Sequence, residues 1–155
     1  MNKEELKAYL KSYKTRKWVI RDLQLKIKEL ELEEISVSAS SFEEHFGYDV
    51  SSSTENKAIK RLEKKEEYLH KIEYQKIQLE KIENLISILP DIEKQVIESI
   101  FLKGYSYNVV IGALDRRYSS IKEIEKRALN KLIVFLGSKE EKNSQINYSL
   151  INTFN

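Results

Sequence analysis

Residues 3–35 read KEELKAYLKSYKTRKWVIRDLQLKIKELELEEI, and the fold turns on this stretch. Leu6, Tyr13, Ile20 and Ile27 recur every seven residues, and Tyr9, Leu23 and Leu30 fill the positions three later. Arg16 stands where that second series should carry an apolar side chain. Spacings that alternate between three and four place all of these residues on one stripe of an α-helix, the a/d seam of a coiled coil. At 1.5 Å per residue the helix would be roughly 45 Å long. So narrow a rod cannot bury its seam without a second helix.

Working outward, residues Ser36 to Thr54 break the pattern. They hold seven Ser, Gly47 and no Lys or Arg, together with Phe42, Phe46 and Tyr48. Serine competes for backbone hydrogen bonds and favours turns, so this segment reads as a loop that tucks partly back onto a helix. Ser52 with Glu55 three later has the form of a capping box. A second long helix is expected from about Glu55 to Leu89, with Leu62, Leu69, Ile72, Leu79, Ile82, Ile86 and Leu89 as its apolar stripe. Two long amphipathic helices joined by a compact loop imply an antiparallel hairpin. The same seams could also pair between two chains as a homodimer.

Pro90 ends the second helix or begins the next. A third helix is expected over Asp91–Lys103, with Ile92, Val96, Ile97, Ile100 and Phe101 inward and Gly104 in the left-handed terminating position. Ser106 can cap a short fourth helix reaching Leu114. Asp115–Tyr118 forms a polar turn, and a fifth helix runs to about Leu136. Residues 138–155, rich in Ser and Asn, read as a polar, mobile tail. The fold class is therefore all-α, with a hairpin over 1–89 and a compact three-helix unit over 90–137. The composition agrees: 4 Gly and 1 Pro in 155 residues leave too few turns for a β-rich fold.

The formal net charge is only +2, but charge is segregated along the chain. Residues 1–28 carry 9 Lys/Arg against 3 acids, residues 29–55 carry 8 acids and no Lys/Arg, and residues 103–131 carry 7 Lys/Arg against 3 acids. Segregation can build a local basic surface on a nearly neutral protein. The Lys-rich first helix reads mainly as the solvated side of a coiled coil, and Trp18, off the seam, as an aromatic packed between helices. The absence of Cys removes disulfides, thiol catalysis and Cys-based zinc sites. His45 and His70 stand in no metal motif, and no phosphate loop, nucleophile elbow or dinucleotide fingerprint occurs. The expectation is a cytoplasmic protein that is not an enzyme, needs no metal or other cofactor, and does not enter a membrane.

The fourth and fifth helices have helix-turn-helix spacing. Val110, Leu114, Ile121 and Ile124 are expected to pack the corner between them. On a wheel of 100° per residue, Ile124, Ala128 and Leu132 fall within about 60° of Ile121. Ser119, Lys122, Glu123, Lys126 and Asn130 fall on the far side, with Arg116, Arg117 and Arg127 flanking them. A recognition helix requires such an arrangement. Its first residues read base edges in the major groove while neighbouring cations neutralise phosphates. Ser119, Lys122 and Glu123 are thus the candidate base readers, and Arg116, Lys126 and Arg127 the candidate phosphate contacts. Ser106, Tyr107, Arg117, Tyr118, Ser120 and Asn130 complete the candidate DNA-binding set.

The run Leu89-Pro90-Asp91-Ile92-Glu93-Lys94-Gln95-Val96-Ile97 resembles the "L-P-x-x-x-[RK]-x-V-[IL]" opening of the fourth region of bacterial sigma factors. Gly104-Tyr105-Ser106 resembles its "G-x-S". Leu114, Ser119-Ser120-Ile121 and Lys126-Arg127-Ala128-Leu129-Asn130-Lys131-Leu132 resemble its "L-G-x-S-x-x-T-V … K-R-A-L-x-K-L". Asp115 stands at the turn glycine, Arg117 at the serine opening the recognition helix, and Val109-Val110-Ile111 replaces Glu-Ile-Ala. With Tyr13-Lys14 on an amphipathic first helix, the whole chain is similar to the RinA and ArpU types of phage and prophage transcriptional regulators. The resemblance implies a DNA-binding regulator acting at promoters, with double-stranded DNA and RNA polymerase as partners. Two other readings fit the same elements. One is a DNA-packaging protein of the small-terminase type. The other is a sigma-like module that docks on a protein and does not read DNA.

Overall fold

The computed structural model describes residues 1–43 and 52–153, with side chains for 1–37 and 54–146. Among the described residues every regular element is helical. They are α1 (Lys3–Glu43), α2 (Ser52–Ile86), α3 (Asp91–Ile97), a π-helical turn (Glu98–Leu102), α4 (Tyr107–Leu114) and α5 (Tyr118–Thr153). No described helix is long and apolar enough to cross a membrane.

α1 begins with a capping box that the sequence reading passed over. The Glu5 amide donates to Asn2 Oδ1 and the Asn2 amide to Glu5 Oε2, both at 2.9 Å, so two orphan donors of the first turn are satisfied reciprocally. The helix then continues past Ile35 to Glu43, and α2 begins at Ser52, so the loop expected over Ser36–Thr54 is helical at both ends. Serine need not break a helix when its hydroxyl bonds back within it: Ser36 Oγ donates to the Leu32 carbonyl at 3.1 Å. The expected tuck of Phe42, Phe46 and Tyr48 and the capping role of Ser52 lie outside the described residues or side chains.

The chain divides into two compact units, residues 16–79 and residues 1–15 with 80–155. In the first, Leu23, Ile27 and Ile72 form the buried core, with Val19, Ile20 and Tyr68 packed against it. Arg16, the apparent break in the seam, donates from Nη1 to Gln75 Oε1 at 2.8 Å, and Lys65 pairs with Glu31 at 3.0 Å. Partners on α2 thus fall in number as those on α1 rise. Leu62 and Leu69, expected inward, are 55% and 51% exposed. The inward register of α2 passes instead through the partly or fully buried Arg61, Lys65, Tyr68, Ile72, Gln75 and Leu79. This strict three–four alternation is masked in the sequence by its polar members. Trp18, read as a packed aromatic, is 66% exposed.

The second unit is where the expected boundary at Pro90 gives way. Leu6 and Leu10 share one buried cluster with Ile82, Ile86, Ile97, Phe101, Leu129 and Leu132. Residues 1–15 and 80–89 therefore belong with the C-terminal helices. The physical reason lies in α5: Leu129 and Leu132 lie two to three turns beyond Ile121 and bury in a cluster separate from that of Val110, and burying each such leucine contributes about 1.5–3 kcal/mol. α2 ends at Ile86 rather than Leu89, Pro90 precedes α3, and the Lys94 amide donates to the Pro90 carbonyl at 2.9 Å. The π-helical turn after Ile97 widens the helix where one continuous α-helix was expected, and it brings the adjacent Phe101 and Leu102 both inside. Gly104, at φ +72°, ends it as the sequence suggested, and the Tyr105 amide donates to the Ser99 carbonyl.

α5 does not stop near Leu136; it runs to Thr153, so most of the expected tail is helical. No Gly or Pro follows Gly137, and the Ser138 and Ser144 hydroxyls donate to the Phe135 and Glu140 carbonyls at 2.8 and 2.9 Å.

Candidate nucleic-acid interface

Three elements hold the start of α5. Val96 on α3, Val110 on α4, and Ile121 and Ile124 on α5 form one buried cluster, and Leu114 packs against its edge only partly buried. Ser106 caps α4, its hydroxyl accepting from the Val109 amide at 3.4 Å. α4 ends at Asp115, whose φ and ψ of 49° each lie in the left-handed region. The backbone at this turn thus takes the conformation glycine would allow freely, with aspartate among the few side chains that tolerate it. The Arg116 amide donates to the Ile111 carbonyl, and α5 begins at Tyr118.

The candidate residues separate into two groups. Arg116, Arg117, Tyr118, Ser119, Glu123, Lys126, Arg127 and Asn130 are exposed, while Ser120 is half-buried at the corner. Arg116, Arg117 and Lys126 carry no ion pair among the described residues. They give this side of the protein an available positive charge, tempered by Glu123. Residues of the other group are engaged inside the chain. Lys122 Nζ donates to the Tyr107 hydroxyl at 2.8 Å and lies 4.4 Å from that ring's centroid. The Tyr107 hydroxyl donates in turn to Glu125 Oε2 at 2.7 Å. Lys122 also reaches Glu125 directly at 3.4 Å. Tyr118 meets Tyr107 edge to face, with ring centroids 5.5 Å apart.

This chain of donors runs from a cation through a phenol to a carboxylate that is almost wholly buried. Burial pushes the Tyr107 phenol above its usual value, against the opposing Lys122 hydrogen bond. The bond to Tyr107, with Glu125 nearby, holds Lys122 above the usual lysine range. Lys122 is therefore a firmly charged strut between α5 and α4, where a base reader had been expected. Tyr107 likewise faces inward from the start of α4.

A second buried carboxylate ties α5 to α3. Glu93 accepts from Lys131 Nζ with both oxygens at 2.9 Å, and Arg127 Nε approaches it at 3.7 Å. Arg127, expected on a phosphate, thus leans toward α3. Glu93 and Glu125 are not among the residues singled out from the sequence, yet the wheel that places Ile124 inward also places Glu125 about 40° from Ile121. Glu93, one turn before Ile97, is legible in the same way. Among the described residues no group of three His, Cys, Asp or Glu could hold a metal ion.

Compared with known proteins, the chain matches no family model, no curated protein and no solved structure.

Proposed function

We propose that the protein is a sequence-specific DNA-binding transcriptional regulator whose second unit contains a helix-turn-helix formed by α4 and α5. The carrying observation is the cluster of Val96, Val110, Ile121 and Ile124. It fixes the first turns of α5 against α4 and leaves Ser119, Glu123, Lys126 and Asn130 outward beside Arg116 and Arg117. In this reading Ser119 and Glu123 meet base edges, and Arg116, Arg117 and Lys126 meet phosphates. The segments of α1 and α2 that pair over residues 16–79 act as an antiparallel hairpin, coiled-coil-like in its three–four spacing.

The likeness of residues 89–132 to the fourth region of sigma factors supports the same reading and adds RNA polymerase as a second partner. On that basis the protein is phage- or mobile-element-encoded, acts in the cytoplasm at promoters and is not an enzyme. One observation favours a protein-docking module instead: Lys122 and Arg127, two of the cations on this helix, are held by Glu125 and Glu93. Selection from a pool of randomised duplexes separates the two. Enrichment of a common sequence that is lost in a Ser119→Ala, Glu123→Ala variant supports base reading. Recovery of the starting pool unchanged supports docking on a protein.

A further inference from the structure

Leu6 and Leu10 seat the first turns of α1 in the same cluster as Phe101 and Leu102, and Tyr13 packs against that cluster. The next residue, Lys14, is exposed and lies against the end of the π-helical turn. Its Nζ is 3.7 Å and its Cδ 3.9 Å from where a Cβ on Gly104 would stand. Lys103, next to the buried Leu102, is exposed as well, with its Nζ 5.9 Å from the centre of the Tyr105 ring. Neither lysine has an ion pair among the described residues. The carboxylates that act on the adjacent Tyr13 are already engaged, Glu83 by the Tyr13 hydroxyl and Glu98 by Lys94 at 3.9 Å. Two ammonium groups from distant parts of the sequence thus flank one backbone turn, at Gly104, with no carboxylate of their own.

We infer that Lys14 and Lys103 form a second phosphate anchor for duplex DNA, so that α1 takes part in the contact. The inference rests on the DNA-binding reading of α4 and α5 and extends it to a helix outside them. Position and charge carry it. Residues 103–106 lead directly into α4, and the first turn of α4 is fastened to the first turns of α5. The Tyr107 and Tyr118 rings meet with centroids 5.5 Å apart, and Lys122 donates to the Tyr107 hydroxyl. The anchor and the start of α5 therefore belong to one continuous surface. Arg116 and Arg117 stand at the other end of α4, whose eight residues span about 12 Å. A major groove is also about 12 Å wide, with a phosphate wall on each side. With the start of α5 in the groove, the two ends of α4 bring one pair of cations to each wall. Lysine suits this task, since as a point charge it neutralises phosphate without reading a base edge.

The test uses the full chain and random-sequence duplex DNA, with binding followed by fluorescence anisotropy across a salt series. Lys14→Gln and Lys103→Gln keep most of the side-chain stem and remove the charge. Each should lower the slope of log affinity against log salt by about one unit, and the double variant by about two. Lys14→Arg, which keeps the charge, should hold the wild-type slope. Lys142→Gln removes an exposed charge about 36 Å along α5 from its start, and it should leave the slope unchanged. If Arg116→Ala and Lys126→Ala lower the slope while Lys14→Gln and Lys103→Gln do not, the second anchor is wrong and the α5 interface stands. A loss with Lys142→Gln equal to that with Lys14→Gln likewise overturns the anchor, since any surface charge would then serve. If wild type shows no salt-dependent duplex binding, the anchor and the DNA-binding reading fall together.

Discussion

The Lys122 ammonium sits 2.8 Å from the Tyr107 hydroxyl and 4.4 Å from the centre of its ring, so a residue of α5 is fastened to the first turn of α4. Behind them lies Glu125, almost wholly buried and reached by both. The strut is arranged to hold the angle between the two helices. Removing Lys122 leaves the Glu125 carboxylate with the Tyr107 hydroxyl alone. Lys122→Ala should therefore destabilise the protein by about 1–3 kcal/mol. Adding Glu125→Gln should recover a large part of that loss, because the uncompensated charge is gone. Urea unfolding of the two single variants and the double variant measures the coupling. Strictly additive effects would show that the two groups do not act together.

The core of the corner makes a graded demand. Ile121 is fully buried while Leu114 is only partly so. Ile121→Ala should cost about 2–5 kcal/mol through the cavity it leaves, and Leu114→Ala less than about 2 kcal/mol. Thermal or urea unfolding gives both values, and equal losses would contradict the difference in burial.

Asp115 holds a left-handed backbone conformation at the C-terminal end of α4. Its side chain loses steric freedom there, and its negative charge faces the negative end of the helix dipole. Asp115→Gly should therefore raise stability by up to about 1 kcal/mol, offset in part by chain entropy. A β-branched side chain has no such tolerance, and Asp115→Val should lower stability by about 1–2 kcal/mol. Melting temperatures of the two variants should move in opposite directions.

Tyr13 donates to Glu83 Oε1 at 2.5 Å. Burial and then the Glu83 bond push its phenol from 10.0 up to about 12. A phenol whose value is higher in the folded state favours folding while it stays protonated. That contribution is complete below about pH 10 and disappears as pH rises through about 12. The stability difference between wild type and Tyr13→Phe, at most about 1 kcal/mol for a solvent-screened bond, should shrink across that window. Isothermal urea titrations at intervals of pH measure it, and a difference that stays flat would remove Tyr13 as its source.

Much of this molecule is legible in its residues, and the illegible parts share a cause. Ser106 as a cap, Gly104 as a helix end and Val110, Ile121 and Ile124 as inward residues follow from side-chain chemistry and helical spacing, and the structure has them so. The register of α2 was misread because leucine was taken as the mark of the inside. Polar Arg61, Lys65 and Gln75 occupy the inward positions, and Leu62 and Leu69 stay in solvent. Glu93 and Glu125 escape the pattern from the other side: an inward list made only of apolar residues leaves them out, although a facing lysine lets a carboxylate be buried. Helix ends failed where serine was read as a breaker, since serines at 36, 138 and 144 bond back to their own helix. The placement of Leu6 and Leu10 beside Leu129 and Leu132 is a long-range packing choice that no local pattern announces.

The exposed cations Arg116, Arg117 and Lys126 beside the first turns of α5 are the groups by which this protein would hold DNA. Phosphate neutralisation releases counterions, so it leaves a signature in salt that no neutral contact shares. The direct measurement is the affinity of the full chain for duplex DNA across a salt series, repeated with Arg116→Ala, Arg117→Ala and Lys126→Ala. Binding should weaken linearly in the logarithms of affinity and salt, and each substitution should reduce the slope by about one unit. Lys122→Ala, by contrast, should leave the slope nearly unchanged, since its charge is taken up by Tyr107 and Glu125. If wild type shows no salt-dependent duplex binding at low ionic strength, or if the three substitutions leave the slope as it was, the DNA-binding role assigned to this face is wrong.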